Sequence, residues 1–328
     1  MKMKLVIKTM AAVLLTSTLA ACGHAASADT KSETSASPEA AKRPSIVCTN
    51  FPSYDFARQI VGDHADVTML LKPGAESHTY EPTPEDLITI QNSDMFVYVG
   101  GDSDAWVDGV LDSMDNSKRT VFKLMEQVQT VEEELVEGME ETEEEEEGEE
   151  EGPEMDEHVW TSPVNAATIV DKMATAIGKI DPQNQAAYES GAQAYIAKIN
   201  ALDAQFHEVI DHAERKEIVV GDRFPFRYFC DEYGLTYYAA FPGCSTDTQP
   251  SAKTVAFLID KVKEDQIPVV FHIELSNPQM ADSIAEATGA KSMLLNAVHN
   301  VTDEDFNQGA TYVSLMEKNV EALKEALN

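Results

Sequence analysis

Positive charge is the scarcest thing in this sequence. Its 24 lysines and arginines face 58 aspartates and glutamates, a formal net charge of -34. So acidic a surface repels phosphate backbones and anionic headgroups, which argues against nucleic acid and anionic lipid as partners. A run long enough to span a bilayer is also missing. The apolar stretch from Met10 to Ala21 is too short and wrongly flanked for that. There is no CxxC pair. Apart from Cys22 the thiols are Cys48, Cys230 and Cys244. That odd set leaves at least one unpaired or linked elsewhere, and no disulfide is read from it. Neither HExxH nor a paired-metal carboxylate signature occurs, which weighs against a metal-dependent hydrolase. The two halves of the chain show no internal repeat.

What is present begins with an address. Met1-Lys2-Met3-Lys4 is basic, the run to Ala21 is apolar, and Leu19-Ala20-Ala21-Cys22 places small residues before a cysteine. That order reads as a lipoprotein signal over residues 1–22, with Cys22 as the lipidated residue. The plainer reading is a secretory signal followed by an incidental cysteine. Either way the expected location is extracytoplasmic. With the lipid, the protein sits on the outer face of a bacterial cell membrane, held by its N-terminus alone. Residues 23–44 are rich in Ala, Ser, Thr and Glu without apolar periodicity, and read as a flexible tether. The remaining chain, roughly 280 residues, is long enough for two domains.

Strand and helix signals then alternate. Ser45–Asn50, Asp66–Leu71, Met95–Val99 and Arg119–Leu124 read as strands, with helices from Tyr54, Pro84, Ala105 and Val164. The expectation is an α/β protein with parallel sheets covered on both faces. An N-terminal lobe is placed at 45–182. Residues 131–156 interrupt it with near-continuous runs of acid and no Lys or Arg. Adjacent glutamates repel and offer little apolar surface, so this insertion is expected to stay unpacked and disordered. Residues 183–213 read as one long helix. Its apolar stripe is Tyr188, Ala192, Tyr195, Ile199, Leu202, Phe206 and Ile210. At about 40 Å it is too long for one small lobe and should run along both. A C-terminal lobe follows at 214–328, with strands at Ile218–Val220, Thr236–Phe241, Val269–Ile273 and Ser292–Leu295.

Ligands of open parallel sheets bind beyond the carboxyl ends of the strands. In the first lobe those positions hold Thr49 and Asn50, His78, Gly100 and Gly101, and, past the insertion, His158. In the second they hold Asp222 and Arg223, Gly243 and Cys244, Glu274, and Asn296 with His299. His78 lies in a loop stiffened by Pro73, Gly74, Pro82 and Pro84, with Thr83 as helix N-cap. Imidazole, carboxylate and thiolate groups converging in a cleft describe a site for a borderline divalent metal. Each has a plain reading too: His158 as the end of the acidic segment, His299 as a turn cap, Glu274 as a partner of Arg223. His272, inside a strand, reads as core or wall.

The loop Pro73-Gly74…His78-Thr79-Tyr80-Glu81-Pro82-Thr83-Pro84 resembles the first metal loop of the zinc- and manganese-binding receptors of bacterial ABC importers. Glu157-His158-Val159-Trp160…Pro163-Val164-Asn165 resembles their second. Gly101…Trp106, Asp181-Pro182…Tyr188, Phe226…Tyr228-Phe229…Tyr233-Gly234-Leu235, Gln249-Pro250-Ser251 and Ile284-Ala285…Thr288-Gly289 fall in the same order and spacing. The resemblance covers essentially the whole chain after the signal. It implies two α/β lobes joined by one long rigid helix, with the metal between them. It implies a receptor without catalysis that hands Zn²⁺, or alternatively Mn²⁺, to a membrane permease driven by a cytoplasmic ATPase. A monomer is expected.

On that resemblance His78 and His158 carry over as first-lobe ligands. The acidic insertion stands where zinc-specific members carry a loop rich in His and acid, but it has no His of its own. Carboxylates alone bind weakly and favour hard cations, so it reads either as a low-affinity collector or as a solvated charge run. The second lobe departs from the pattern. The family's third ligand aligns with Arg223, which has no lone pair to give, and its last, usually Asp, aligns with Asn296. Glu274 keeps a family acidic position, and His299 is an extra imidazole. The expected set is therefore His78, His158, His299 and Glu274, with Asn296, Asp222 or Cys244 in reserve. Two rivals stand beside it: a receptor whose Arg223 holds an anionic metal chelate, and an exported zinc hydrolase with Glu274 as base.

Overall fold

The computed structural model describes residues 42–139, 154–245 and 250–328. Cys22, the signal and nearly all of the tether lie outside these residues, as does the most acidic part of the insertion.

Two four-stranded sheets, parallel throughout, form the frame. The first contains β1 (Ser45–Cys48), β2 (Asp66–Met69), β3 (Met95–Tyr98) and β4 (Thr120–Lys123), in the order β2-β1-β3-β4. The second contains β5 (Glu217–Phe224), β6 (Thr236–Pro242), β7 (Val269–His272) and β8 (Lys291–Leu294), in the order β6-β5-β7-β8. The two orders are the same although the sequences do not repeat. In each sheet the strand order reverses between the first and third strands, where a crevice opens beyond the strand ends.

Ten helices surround them among the described residues: α1 (Phe51–Val61), α2 (Pro84–Gln91), α3 (Trp106–Asp112), α4 (Pro163–Ile180), α5 (Gln185–Asp211), α6 (Arg227–Tyr233), α7 (Ala252–Glu264), α8 (Gln279–Thr288), α9 (Asp303–Asn307) and α10 (Tyr312–Leu327). Their starts follow from local chemistry. Asn50 accepts from Ser53 N to cap α1, Thr83 and Asp86 form a reciprocal capping box on α2, and Ser162 caps α4 ahead of Pro163. α2 and α3 cover the outer face of the first sheet over Val47, Phe96 and Tyr98. α7 and α8 cover the outer face of the second over Val219, Val270 and Ala240.

The inner faces share one core, which runs from Ile46 and Val97 in the first sheet to Val220 and Phe271 in the second. α5 is its spine. All seven residues of the stripe read from the sequence are buried, and Val209 joins them. The helix packs against α1 and α4 on one side of the molecule and α10 and α6 on the other. Removing one of its large side chains, as in Phe206→Ala, opens a cavity that costs about 3–5 kcal/mol.

Three expectations need correction. β5 runs on through Gly221, Asp222 and Arg223 to Phe224, with a register shift against β6 between Val220 and Arg223. The sequence reading stopped at Val220 because Gly221 and Asp222 look like a turn. Helix α9 was missed; it is short, and Thr302 caps it by accepting from Asp305 N. The insertion at 131–156 is not unpacked throughout. Its described flanks, 131–139 and 154–156, are held to the body. Glu132 and Met155 form an antiparallel bridge, and Val131, Val136 and Met139 pack on the core. Tyr228 ties the flanks together, receiving from Val131 N at 3.2 Å and donating to Asp156 O at 2.6 Å. Apolar residues between the acids of the flanks account for this packing. Residues 140–153 lie outside the described residues.

Candidate metal centre

Three loops converge where the two sheet edges meet. The β2–α2 loop carries His78 and is pinned to the second half of the molecule. Gly74 N donates to Val301 O at 2.7 Å, and Asn300 Nδ2 donates to Lys72 O and Ala75 O. His158 follows the acidic segment and starts a 3₁₀ turn over Val159–Thr161. His299 lies beyond β8, and its carbonyl accepts from Phe51 N at the start of α1. Trp160 packs beside His158 and His299, its ring 5.5 Å from each, with Nε1 donating to Ala297 O.

The three imidazoles face one another. One ring nitrogen of each lies within 4.8 Å of those of the other two. Ring centroids are 5.9 Å apart for His78 and His158, 5.3 Å for His78 and His299, and 4.8 Å for His158 and His299. All three Nε2 atoms are buried and have no hydrogen-bond partner. A buried polar atom without a partner is destabilising, so three aimed at one point need a common explanation.

Each Nδ1, by contrast, is engaged from behind. His158 Nδ1 is 3.0 Å from Asp156 Oδ1, and His299 Nδ1 is 3.3 Å from Glu274 Oε1. His78 Nδ1 is 2.9 Å from Ser103 Oγ. The Ser103 hydroxyl gives its one proton to Glu157 in a very short hydrogen bond, so its oxygen is left to accept from His78. With Nδ1–H donated rearward in every ring, the Nε2 lone pairs point forward, which is how metal-binding histidines are prepared. Two glycines make the close approach possible. A Cβ on Gly243 would come within 2.9 Å of the His158 ring, and Gly101, at φ +75°, leaves room for Glu157.

Burial, with the neighbouring imidazoles and Arg223 behind it, lowers the pKa of His78 and of His299 well below the ordinary value. This favours the neutral form, the one that coordinates. Burial also disfavours charge on His158, but the charge and hydrogen bond of Asp156, with Glu157 and Glu133 nearby, outweigh it and the pKa rises. Burial raises Glu157 and Glu274 to about 7.

The sequence-derived candidates thus divide. His78, His158 and His299 come together. Glu274 does not join them as a ligand, and that expectation is corrected: Oε1 accepts from His299 N at 2.8 Å and Oε2 from Ala297 N at 2.7 Å, so it stands behind His299 as its support. Asn296 is buried, and its Nδ2 donates to Asn319 Oδ1 at 3.1 Å and to Leu315 O at 3.4 Å in α10. Asp222 faces its own strand end, accepting from Arg223 N, Ile273 N and Ser276 Oγ. Arg223 pairs not with Glu274 but with Glu76, Nη2 to Oε2 at 3.1 Å. Cys244 is a free thiol whose sulfur lies within 4.8 Å of donors from Glu157 and His158 and of donors from Glu133 and Glu154.

Sequence reading missed Ser103, Asp156, Glu157 and Glu76. Three of them left a local signal: Asp156 and Glu157 directly precede His158, and Glu76 stands two residues before His78. Ser103 is 25 positions from His78, and nothing local marks the pair.

The family model described as "Zinc-uptake complex component A periplasmic" (ZnuA) matches residues 46–326. The chain belongs to this family. Among the component A proteins it is 36% identical, over 94% of its length and 93% of theirs, to the "High-affinity zinc uptake system protein ZnuA" of Bacillus subtilis strain 168. It is 34% identical to the "Zinc-binding lipoprotein AdcA" of Streptococcus pneumoniae, matching 85% of this chain but 55% of that longer protein. The Zn(II)-bound ZnuA-like domain of S. pneumoniae AdcA superposes with a TM-score of 0.72 at 32% identity, covering 87% of this chain and 99% of that one.

Proposed function

We propose that the protein is an extracytoplasmic zinc receptor that encloses Zn²⁺ between its two sheets and delivers it to an ABC importer. The observation that carries this is the set of three buried, unpartnered Nε2 atoms of His78, His158 and His299, each ring oriented from behind. Three imidazoles and no carboxylate in the group select zinc over manganese, whose sites are richer in oxygen. The component A family and its zinc-binding members support the same cargo. Among the described residues no helix is long and apolar enough to cross a membrane. In this reading a membrane permease and its cytoplasmic ATPase are the partners. Cys22 is the lipid attachment that holds a monomeric receptor beside them.

The role is binding without catalysis. The carboxylate cast as a general base in the hydrolase reading, Glu274, is bound by two backbone N–H groups behind the site. The experiment is metal analysis of the protein purified without added ions, followed by titration of the stripped protein with Zn²⁺ and Mn²⁺. Tight binding of one Zn²⁺ per chain, with Mn²⁺ much weaker, is expected. A protein with no zinc affinity sinks the reading.

A further inference from the structure

Zinc in a site of this kind takes four donors in a tetrahedron, and the imidazoles supply three. The nearby carboxylates are engaged elsewhere. Glu274 and Asp222 hold backbone N–H groups. Glu157 accepts from Ser103 N and Ser103 Oγ. Glu76 gives Oε2 to Arg223 and receives His78 N on Oε1 at 3.4 Å. Among the described residues, the donor group that contains all three imidazoles contains no fourth member.

Beside that gap lies a small, partly open pocket walled by Glu76, Arg223, Glu274, His299 and Asn300 among others. Arg223 is 8% exposed, yet its guanidinium makes one ion pair, through Nη2. A guanidinium carries five N–H donors. Arg223 shares the walls of that pocket with His299.

We propose that the zinc bound here takes its fourth ligand from solution, a small monovalent anion hydrogen-bonded by Arg223. The inference rests on the zinc-receptor reading. Three neutral imidazoles bring no negative charge to the ion directly; Asp156, Glu274 and Glu157 act only from behind the rings, and Glu76 is balanced by Arg223 itself. An anion on the metal reduces that excess and uses donors that Arg223 otherwise leaves idle. Charge-assisted bonds from a planar fork are the strongest such contacts. An arginine at a position aligned with a ligand of related receptors is, in these terms, a hook for an external ligand.

Cobalt makes the test visible. The full chain is loaded with Co²⁺, and its visible absorption is followed as azide is added at constant ionic strength. A saturable spectral change is expected in the wild type. Arg223→Gln should raise the azide Kd about tenfold or more, the loss of one charge-assisted contact. Arg223→Lys, which keeps the charge without the fork, should fall between the two. A wild-type cobalt spectrum indifferent to azide overturns the inference, and so does an unchanged azide Kd in Arg223→Gln. If Arg223→Gln does not fold, the wild-type and Arg223→Lys titrations decide by the same criteria. Failure of Co²⁺ to bind the wild type at all overturns the receptor reading instead.

Discussion

The two halves of the molecule share a strand order and divide the centre unequally. The first contributes His78 and His158, each supported by a partner from the same half, Ser103 and Asp156. Among its described residues no non-glycine backbone has positive φ. The second contributes His299 alone, on strained backbone. Leu275 beside Glu274 is at φ 59°, and Val298 beside His299 is at φ 63°. The left-handed region is unfavourable for any side chain and an outlier for a β-branched one. Such strain persists where surroundings over-determine it, and here Glu274 holds Ala297 N and His299 N in one carboxylate grip. A common topology thus supplies edges, while the chemistry depends on what each loop can be made to present.

The comparison breaks most clearly at the ligands. A structural zinc site gives about 10–16 kcal/mol, so one of four donors is worth ~3 kcal/mol, and each of His78→Ala, His158→Ala and His299→Ala should weaken zinc about a hundredfold or more. Competition with a chelator of known affinity measures this. If His299→Ala binds as tightly as the wild type, the second half has no ligand and the comparison collapses.

The supports come next. Glu274→Ala and Asp156→Ala should each lower zinc affinity about 10–100-fold. Glu274→Ala should also destabilise the metal-free protein by about 1–3 kcal/mol, because two backbone N–H groups lose their acceptor. Urea unfolding of the stripped proteins checks the asymmetry, and equal stabilities for the two variants refute it.

Acid should act through one half first. A coordinating ring must be neutral. His158 has the raised pKa and takes up a proton first as pH falls, whereas His78 and His299, held low chiefly by burial, stay neutral. Zinc affinity should therefore fall, from the ordinary histidine range near 6.5 and somewhat above it, with a slope of about one proton. Titrations over a pH series give the slope; a value near three counts against this ordering.

The smallest effect tests the strain itself. Leu275 is 36% exposed, so little burial is lost in Leu275→Gly. Relief of the left-handed conformation should stabilise the protein by ~0.5–1 kcal/mol. A lower melting temperature contradicts that account.

The frame was legible in the sequence because its signals are local. The Thr83 cap, the stripe of α5 and the short apolar strands each announce themselves within a few residues. So were His78, His158 and His299, one per loop at a strand end. The supports were not, since Ser103 and Glu274 reach their imidazoles across 25 residues in each case. Glu274 illustrates the limit. Its position after β7 was read correctly, but whether a carboxylate faces the metal or the backbone behind it depends on the turn at Leu275, which no residue type there foretells. The length of β5 was lost for a related reason, because Gly221 and Asp222 are turn formers that the sheet overrides.

Trp160 has a practical consequence. Zinc has no colour and no unpaired electron, but this indole sits 5.5 Å from two of the three rings that would hold it. The chain has two tryptophans, and Trp106 packs instead against Tyr80 and Phe96 on the outer side of the first sheet. The protein therefore carries its own fluorophore at the cargo position. Emission from Trp160, with Trp106 replaced by phenylalanine, would register filling and emptying of the centre in real time without any label.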